Sequence, residues 1–507
     1  MGSIKSETFQ EFYQAMGIVK YPFREKTAEK ENSEKLFIKP LNYSLLEDMY
    51  ANGETIIING NRGTGKTMLL KDLRLKDKSD KIGVFLSKYE GISCEENLND
   101  FYSLILKNIV PQLLSVLILD RKNLKKLSQD NKMLLSLLIY KYGDTLSNSQ
   151  LMDKLGDVQL TPFKKLCNKV SYPVTAVLNY LSTGITNFGN ELLTKHFGPY
   201  LPDVDSSTFK NIFPEIKFEI ENEFKTVEIS YDLLSKSLKL TKEVIGKSVI
   251  VYMDRLDEDL RLENDADLIS KFIKQILCDS NLLLNSDIQL LISVWKIPFD
   301  MLTAVFRRSK HNVYDITWSK EQLEKVLNHR LEVYSNLQVK DYHTLFDSSI
   351  SQANLDKIFE LSNSNPRDLW TIFDRIFIKQ HEEDSSNKLI TLNAFDKSLR
   401  DFISKFEYYE YYPKKKMAQR NTNDIYSYIQ HLLKLKDNRE FTYAELRDAA
   451  NTGGSTSNYI TGMMNIGLVT KTDKKREGGA VIYLINDPKI IYAIEHEIDI
   501  IHNSKVS

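Results

Sequence analysis

A glycine-rich segment near the start of the chain has the residue types and spacing of a phosphate-binding loop. Residues 60–67 read Gly-Asn-Arg-Gly-Thr-Gly-Lys-Thr and match the pattern Gly-x-x-x-x-Gly-Lys-Ser/Thr at every fixed position. Glycine lets backbone N–H groups curve around phosphate oxygens without a Cβ clash. In this pattern Lys66 reaches the β- and γ-phosphates, and the Thr67 hydroxyl ligates Mg²⁺. The segment predicts a site for ATP with magnesium.

A carboxylate follows an apolar run in the middle of the chain. Residues 249–254 read Val-Ile-Val-Tyr-Met-Asp, so a buried strand would place Asp254 at the carboxyl edge of a sheet, where it can support Mg²⁺. Arg255 occupies the position at which many ATPases carry a water-activating carboxylate. Asp257 and Glu258 are the candidates to replace it, and the Asp-x-x-Asp spacing slightly favours Asp257. The alternative is a solvated acidic turn with slow hydrolysis.

The phosphate loop and Asp254 can only meet if each follows a strand of the same sheet, so the sequence should show strands that alternate with helices. Apolar runs predict buried strands at residues 55–59, 82–87, 248–253, 287–295 and 312–317. Helical spacing of apolar residues follows the loop and separates the later strands. Strands that alternate with helices indicate a parallel α/β sheet. Residues 91–244, between the second and third strands, are mostly helical and are predicted to be an insertion.

The composition limits the kinds of protein that this chain can be. The 507 residues carry a net charge of −1, with 42% hydrophobic and 27% charged residues, which is ordinary for a globular protein. Because the whole chain is not basic, any nucleic-acid surface must be local. No apolar run reaches the roughly 18 residues that a membrane span needs, so no membrane partner is expected. Three scattered cysteines, and an amino terminus without a signal-peptide pattern, favour a cytoplasmic location.

Residues 422–490 read as a winged helix. The predicted elements are three helices followed by two strands, at 425–435, 442–450, 455–468, 469–471 and 480–484. Thr442 and Glu445 have the spacing of a capping box, and Ser455 is the predicted cap of the third helix.

The geometry of such a module suits duplex DNA, which we expect to bind through residues 412–484. The third helix would enter the major groove, and the basic tip at residues 474–476 would contact phosphates. The predicted third helix contains no Arg or Lys, which weakens the case for sequence-specific reading. A protein-interaction module is therefore the alternative.

Four segments resemble motifs of AAA+ ATPases of the origin-recognition initiator clade and of related STAND-type signalling ATPases. Residues 60–67 match Walker A, and residues 249–258 match Walker B in a variant form. Residues 21–23, Tyr-Pro-Phe, resemble an element that flanks adenine in initiator-type ATPases. Residues 365–369, Asn-Pro-Arg-Asp-Leu, resemble the motif that opens a helix of the lid domain. The resemblance implies an AAA+-like P-loop core with a helical lid.

The resemblance also implies roles for single residues. Arg367 matches sensor 2, which reads the γ-phosphate, and Lys296 is the best match to sensor 1, where Asn or Ser is more usual. Arg307 and Arg308 stand where such families place an arginine finger that acts on a neighbouring subunit. Arg62 is expected to face solvent, or to contact phosphate or a neighbouring subunit. The predicted nucleotide-binding residues are Phe23, Gly60, Asn61, Arg62, Gly63, Thr64, Gly65, Lys66, Thr67 and Met68.

The predicted domains are a P-loop ATPase core at 1–90 and 245–318, a helical insertion at 91–244, a helical lid at 319–407 and a winged-helix domain at 408–507. The expected function is that of a switch that binds and hydrolyses ATP with Mg²⁺, engages duplex DNA, and assembles as a homo-oligomer or with a partner protein. The alternative is a STAND-like signalling or antiviral-defence ATPase whose insertion senses a protein or stress signal. A non-hydrolysing ATP-binding protein is a third interpretation, because of Arg255.

Overall fold

The chain is described here from a computed structural model. The described residues are 8–25, 33–77, 81–119, 227–415, 423–435, 439–476 and 478–500, with a few positions between 127 and 142. Most of the predicted insertion at 91–244 lies outside them. Among the described residues, no helix has both the length and the apolar character needed to cross a bilayer.

A five-stranded parallel sheet forms the centre of the predicted core. Its strands are β1 (Ile56–Gly60), β2 (Lys81–Leu86), β3 (Ser248–Met253), β4 (Ile288–Trp295) and β5 (Asn312–Asp315). They lie in the order β2-β3-β4-β1-β5, and all neighbouring pairs are parallel. Every residue of β1 and β4 is buried, as expected for strands in the middle of a parallel sheet.

Helices precede, connect and follow these strands. They are α1 (Phe9–Ala15), α2 (Ser33–Leu36), α3 (Tyr43–Ala51), α4 (Lys66–Leu75), α5 (Leu98–Leu119), α6 (Val227–Leu240), α7 (Ala266–Leu277), α8 (Ser280–Leu283) and α9 (Lys296–Asp300). Helices α5 and α6, which belong to the two described ends of the predicted insertion at 91–244, pack against each other, and α4 packs against β1 and β4. Helix α5 also packs against β2, so this described pair of helices lies against the sheet.

Four longer helices follow the sheet: α10 (Lys320–Tyr334), α11 (Gln352–Leu361), α12 (Pro366–Glu383) and α13 (Leu392–Ser404). Each begins at a polar residue whose side chain accepts a hydrogen bond from a backbone N–H of the first turn. Helix α12 packs against α1, α11 and α13. These helices correspond to the predicted lid, whose boundaries at 319 and 407 stay a prediction.

The last part of the chain combines helices with a small antiparallel sheet. Its elements are α14 (Ile425–Leu432), β6 (Glu440–Thr442), α15 (Tyr443–Ala450), α16 (Thr456–Asn465), β7 (Val469–Lys475), β8 (Val481–Ile485) and α17 (Pro488–Glu495). Strand β8 pairs with both β6 and β7. The three helices and two strands predicted for a winged helix are present, together with two elements that were not predicted, β6 and α17, and the winged-helix assignment stays a prediction. The capping box of Thr442 and Glu445 is present. Ser455 makes no side-chain cap bond, because a short 3₁₀ turn precedes α16.

The order of strands brings the ends of β1, β3 and β4 together at one edge of the sheet. Gly60 is in register with Trp295, and Met253 with Ile292. The loop that follows β1 and the acid that follows β3 therefore lie at the same edge, on either side of the end of β4. The predicted α/β fold class, with a P-loop sheet at its centre, is confirmed.

Candidate functional site

The loop between β1 and α4 is held by hydrogen bonds to its own backbone. Lys66 Nζ donates to the carbonyl oxygens of Gly60 at 2.9 Å and Asn61 at 3.0 Å. Gly63 and Gly65 have φ angles of +84° and +95°, which glycine adopts without a steric penalty. Helix α4 begins at Lys66, so its electropositive end faces the loop, an arrangement that favours a bound anion.

The side-chain ammonium group of Lys66 is largely shielded from solvent. Burial lowers the pKa of Lys66, although the carboxylates of Asp257 and Asp254 act in the opposite direction. An ammonium that has lost part of its hydration is stabilised strongly by an anion placed against it. Lys66 is therefore well suited to bind a phosphate group.

Asp254, directly after β3, is buried, and both of its carboxylate oxygens accept hydrogen bonds. Thr67 Oγ1 donates to Oδ2 at 2.7 Å, and Ser293 Oγ on β4 donates to Oδ1 at 2.5 Å. The Tyr89 hydroxyl donates to the backbone carbonyl of Asp254 at 3.0 Å. Sequence analysis missed Ser293, because it lies inside an apolar run and only the register of β3 against β4 places it beside Asp254.

The residues at this point fit a magnesium ion bound together with a nucleotide. Magnesium is commonly held by one or two protein oxygens along with phosphate oxygens and water. The Thr67 hydroxyl and the Asp254 carboxylate, in mutual contact, supply such a pair. Within the described part of the chain, no group of three or more acidic, histidine or cysteine side chains forms a separate metal site.

Arg62 does not face solvent; its guanidinium connects the loop to the segment after β3. Arg62 Nε donates to Asp257 Oδ2 at 2.6 Å, and Nη2 donates to the Asp257 carbonyl at 3.0 Å. The guanidinium lies 4.0 Å from the centre of the Trp295 ring, a cation–π arrangement. Burial raises the pKa of Asp257, but the charges of Arg62 and Lys66 outweigh it and the net shift is downward. Asp257 is thus an ionised carboxylate engaged in an ion pair.

Glu258 has a different environment although it is the next residue. Its side chain is 56% exposed, and an ion pair with Arg255 spans 3.5 Å. Partial burial and the charge of Asp257 raise the pKa of Glu258. A carboxylate with a raised pKa at the mouth of a cleft is suited to accept a proton from water.

The first turn of α12 lies directly against the loop. Asn365 caps this helix by accepting from Arg367 N at 3.0 Å, and its Nδ2 donates to Arg62 O at 2.8 Å. A Cβ added at Gly63 would lie 2.5 Å from Asn365 Oδ1 and 2.9 Å from Arg367 Cβ. Arg367 lines the same cleft as Lys66 and pairs with Glu410 at 3.8 Å. The loop and the predicted lid therefore form one site.

The cleft between the loop and the predicted lid has a volume of about 280 Å³. Its apolar wall is formed by Leu36, Phe37, Ile38, Pro40, Ile316, Trp318, Val326 and Trp370. Trp318 Nε1 donates to the carbonyl of Thr64 at 2.9 Å, so the wall is attached to the loop. Residues 62–69, Met68 among them, form the opposite side. An apolar wall beside a phosphate loop suits the base of a nucleotide.

Some of the predicted site residues lie away from the lining of this cleft. Lys296 starts α9 and pairs with Asp300 at 2.7 Å, with its side chain 48% exposed. Arg308 pairs with Asp315 at 2.7 Å. The described cleft-lining residues do not include Lys296, Arg307 or Arg308, and their roles stay predictions.

Phe23 lies behind the cleft wall. It is fully buried, stacks on Phe373 with ring centres 5.1 Å apart, and lies 6.1 Å from Trp370. Arg330 Nε donates to the carbonyl of Pro22 at 2.6 Å, and its guanidinium lies 4.6 Å from the Trp370 ring centre. The segment at 21–23 therefore supports Trp370 and Arg330, which do line the cleft.

Comparisons with known proteins add a distant structural likeness. No protein-family model and no curated protein matches the chain. Two solved structures of the Aeropyrum pernix ORC2 protein align with 94% of this chain and 96% of their own, at 10% identity. The TM-score is 0.38 for its ADPNP-ADP complexes and 0.35 for its ADP form. A TM-score this low does not establish a shared fold by itself.

The class of protein follows from the fold and the site. A phosphate loop ends β1, an acid ends β3, and β4 lies between these two strands. This is the sheet of a P-loop NTPase, with an AAA+-like order of strands and a helical region against the loop.

Proposed function

We propose that this protein is an ATP-binding and ATP-hydrolysing switch of the AAA+-like type that engages duplex DNA through its carboxyl-terminal module. The observation that carries the nucleotide part is the convergence of Lys66, Thr67, Asp254 and Arg367 on one cleft beside an apolar wall. These four residues come from three elements: Lys66 and Thr67 lie at the end of the loop and the start of α4, Asp254 follows β3, and Arg367 lies at the start of α12. A phosphate group at the loop would lie within reach of all three.

The proposed roles follow from the environment of each side chain. Lys66 binds the β- and γ-phosphates, and Thr67 with Asp254 would hold Mg²⁺, which offsets phosphate charge when bound. Glu258 is the better placed base for the attacking water, because Asp257 is engaged by Arg62. Arg367 would contact the γ-phosphate from the lid, so that nucleotide state alters the position of α12.

DNA engagement through residues 412–484 is the second part of the proposal. The outward residues of α16, Ser457, Asn458, Thr461 and Asn465, are exposed, as a helix in a major groove would require. Lys474, near the end of β7, has a side chain 77% exposed. Arg476 pairs with Glu445, so it would contribute less charge than the neighbouring lysines. We further propose assembly as a homo-oligomer or with a partner protein, and a cytoplasmic location.

One observation favours the alternative, a STAND-like signalling ATPase whose insertion is the sensor. The segment that leads from β2 into α5 makes three hydrogen bonds with residues 254–261, which follow β3. Tyr89 donates to the carbonyl of Asp254, and Arg261 Nη2 donates to the carbonyl of Tyr89 at 2.8 Å. Arg261 Nη1 also donates to the carbonyl of Ile92 at 2.8 Å. A signal bound by the insertion could reach the catalytic segment by this route.

The experiment that tests the proposed function measures the ATP hydrolysis rate of the full chain with and without duplex DNA. We expect DNA to stimulate hydrolysis, and Lys66→Ala to abolish nucleotide binding while leaving the melting curve native. Replacing Lys474, Lys475 and Arg476 together by alanine should remove the DNA effect and lower the salt slope by about one per lost phosphate contact. Lys388→Ala, an exposed lysine between α12 and α13, is the control.

Each result separates the two functions. A hydrolysis rate that is the same with and without DNA would support the sensor alternative, in which a protein or stress signal binds residues 91–244. Tight ATP binding by Lys66→Ala with a native melting curve would contradict the assignment of the loop itself.

A further inference from the structure

The segment that joins the lid to the carboxyl-terminal module lies against the phosphate loop. We call residues 408–412, Tyr-Tyr-Glu-Tyr-Tyr, the tyrosine linker. Asn61 Nδ2, in the loop, donates to the Tyr411 hydroxyl at 2.8 Å. Asn363 Nδ2, just before the lid helix α12, donates to the same hydroxyl at 3.3 Å. One phenol oxygen therefore connects the loop, the lid and the linker.

A second chain of contacts starts from the next residue of the loop. Arg62 Nη1 donates to Asn264 Oδ1, and Asn264 Nδ2 donates to the carbonyl of Tyr409 at 2.8 Å. The carbonyl of Asn264 accepts from Lys414 N at 3.0 Å. Asn264 has a φ of +60°, so its backbone adopts the left-handed conformation at this junction. The linker is thus attached to two consecutive loop residues by independent routes.

The linker is also attached to helix α17 of the carboxyl-terminal module. The Tyr412 hydroxyl donates to Asp487 Oδ2 at 2.9 Å, and Asp487 caps α17. Lys489 in the same helix is fully buried, 3.0 Å from Asp368 Oδ2 and 3.8 Å from Asp487 Oδ1. Asp368 follows Arg367 in the first turn of α12. A displacement of the linker or of α12 must therefore be transmitted to α17, because close-packed groups do not yield independently.

The loop contacts would respond to a nucleotide for a chemical reason. Lys66 Nζ donates to the carbonyls of Gly60 and Asn61, and a phosphate oxygen is a stronger acceptor for the same ammonium. The Asn61 carbonyl also accepts from Thr64 Oγ1 at 2.8 Å. Phosphate binding would change the hydrogen bonds that the backbone carbonyl of Asn61 accepts. The side chain of the same residue donates to the Tyr411 hydroxyl. Residues 61 and 62 are positions that the phosphate-loop pattern leaves open, and here both are used for contacts with other parts of the chain.

We infer that occupancy of the phosphate loop is transmitted to the carboxyl-terminal module through the Asn61–Tyr411 and Arg62–Asn264 contacts of the tyrosine linker. This rests on the proposed function only in that it requires a nucleotide at the loop. It does not require DNA as the partner of the module. It assigns Tyr411 as a positioning residue that acts through the loop and is not itself in contact with substrate.

The test is amide hydrogen exchange of the full chain with and without ATP and Mg²⁺, compared between wild type and Tyr411→Phe. The matched control is Tyr483→Phe, which removes a hydroxyl from β8 of the same module. Peptides over 60–75 report nucleotide binding, and peptides over 481–495 report the response of the module. In wild type we expect ATP to change exchange in both regions. Tyr411→Phe should keep ATP affinity within about threefold but reduce the response at 481–495 by roughly two- to tenfold, the worth of one hydrogen bond.

The outcomes distinguish this inference from the proposed function. Protection at 60–75 with no change at 481–495 in wild type would overturn the coupling and leave nucleotide binding intact. A Tyr411→Phe protein that responds like wild type would overturn it as well. No protection at 60–75 would remove the proposed function and the inference together. Asn264→Ala, which breaks the second route without touching Tyr411, provides a second variant and should also reduce the response at 481–495.

Discussion

Asp257 and Glu258 are adjacent carboxylates with opposite shifts in pKa. The pKa of Asp257 is lowered overall by Arg62 and Lys66 against the effect of burial, and the pKa of Glu258 is raised by partial burial and by Asp257. The spacing from Asp254 slightly favoured Asp257 as the base. The ion pair between Arg62 and Asp257 reverses that preference, since a carboxylate held by a guanidinium is a poor proton acceptor.

We expect Glu258→Gln to reduce the ATP hydrolysis rate by about 100-fold while ATP still binds, because the acceptor of the water proton is lost. A base must be ionised to act, so the wild-type rate should fall as pH decreases through the raised pKa of Glu258. The midpoint of this acid limb should lie above 4.5, the ordinary value for glutamate. A pH–rate profile measures it.

Asp257→Asn serves as the control for this profile. Because Asp257 is not the base, the variant should keep the acid limb, but the midpoint should move to lower pH because the charge of Asp257 no longer raises the pKa of Glu258. Loss of the limb in Asp257→Asn together with its retention in Glu258→Gln would reassign the base to Asp257.

At the scale of secondary-structure elements, the site depends on the contact between the loop and the first turn of α12. Gly63 provides the space for this contact, because any Cβ there would collide with Asn365 and Arg367. The contact explains why the residue before α12 is an asparagine. Its side-chain Oδ1 caps the helix, and its side-chain Nδ2 donates to the carbonyl of Arg62 in the loop.

We expect Gly63→Ala to weaken ATP binding by at least tenfold, because the added methyl group separates the loop from α12 in addition to straining a positive φ. Gly53→Ala is the matched control, since Gly53 also has a positive φ, +76°, but has nothing within 4 Å of an added Cβ. Isothermal titration and thermal melts of both variants measure the two effects. Equal ATP affinities in the two variants would show that the contact with α12 is not needed for binding.

The sequence predicted the elements of the core well and several of their side-chain contacts poorly. The strands follow from apolar runs, and the loop follows from a pattern with four fixed positions. The contact between Ser293 and Asp254 depends on the register of two strands far apart in sequence, which no local pattern encodes. The resemblance implies a sensor 1 role for Lys296, and that role stays a prediction. The structure shows that α9 begins at this residue and that its side chain pairs with Asp300.

Phe23 and Arg62 show a second limit of local patterns. The Tyr-Pro-Phe segment lies near the nucleotide cleft, yet the packing of Phe23 on Phe373 places it one layer behind the wall. Solvent was one of the expected surroundings of Arg62, but Trp295 and Asp257 enclose it. The surroundings of both residues are set by tertiary contacts. The sequence around each residue has no pattern from which those contacts could be predicted.

At the scale of the whole molecule, a buried ion-pair group of Lys489, Asp368 and Asp487 joins helix α12 to helix α17 in the carboxyl-terminal module. Burial lowers the pKa of Lys489, but Asp368 and Asp487 outweigh it, so the net shift is upward. The lysine therefore stays charged through the neutral range, and the stability that it contributes is lost only as pH rises through the raised pKa. Removing one partner from a buried pair of this kind is strongly destabilising, because it leaves an uncompensated buried charge.

We expect Lys489→Met to lower the free energy of unfolding by about 3–5 kcal/mol, because two carboxylates would remain buried without their cation. The double variant Lys489→Met/Asp368→Asn should recover part of that loss, since one of the two unpaired charges is then removed. Urea unfolding measures both, and Lys474→Met, at an exposed position of β7, is the control. A loss no larger than that of the control would show that the ion-pair group does not hold the module to the lid.

The contacts of Asn61 and Arg62 with other parts of the chain limit which substitutions the protein can accept during evolution. The phosphate-loop pattern allows any residue at positions 61 and 62. In this protein both residues belong to the nucleotide-binding loop and also contact another part of the chain: Asn61 contacts the tyrosine linker, and Arg62 contacts Asp257. A replacement at either position disturbs both the loop and that contact, so selection would act on residues 61, 62, 257 and 411 as a set. Drift at one of them becomes tolerable only after a compensating change at another.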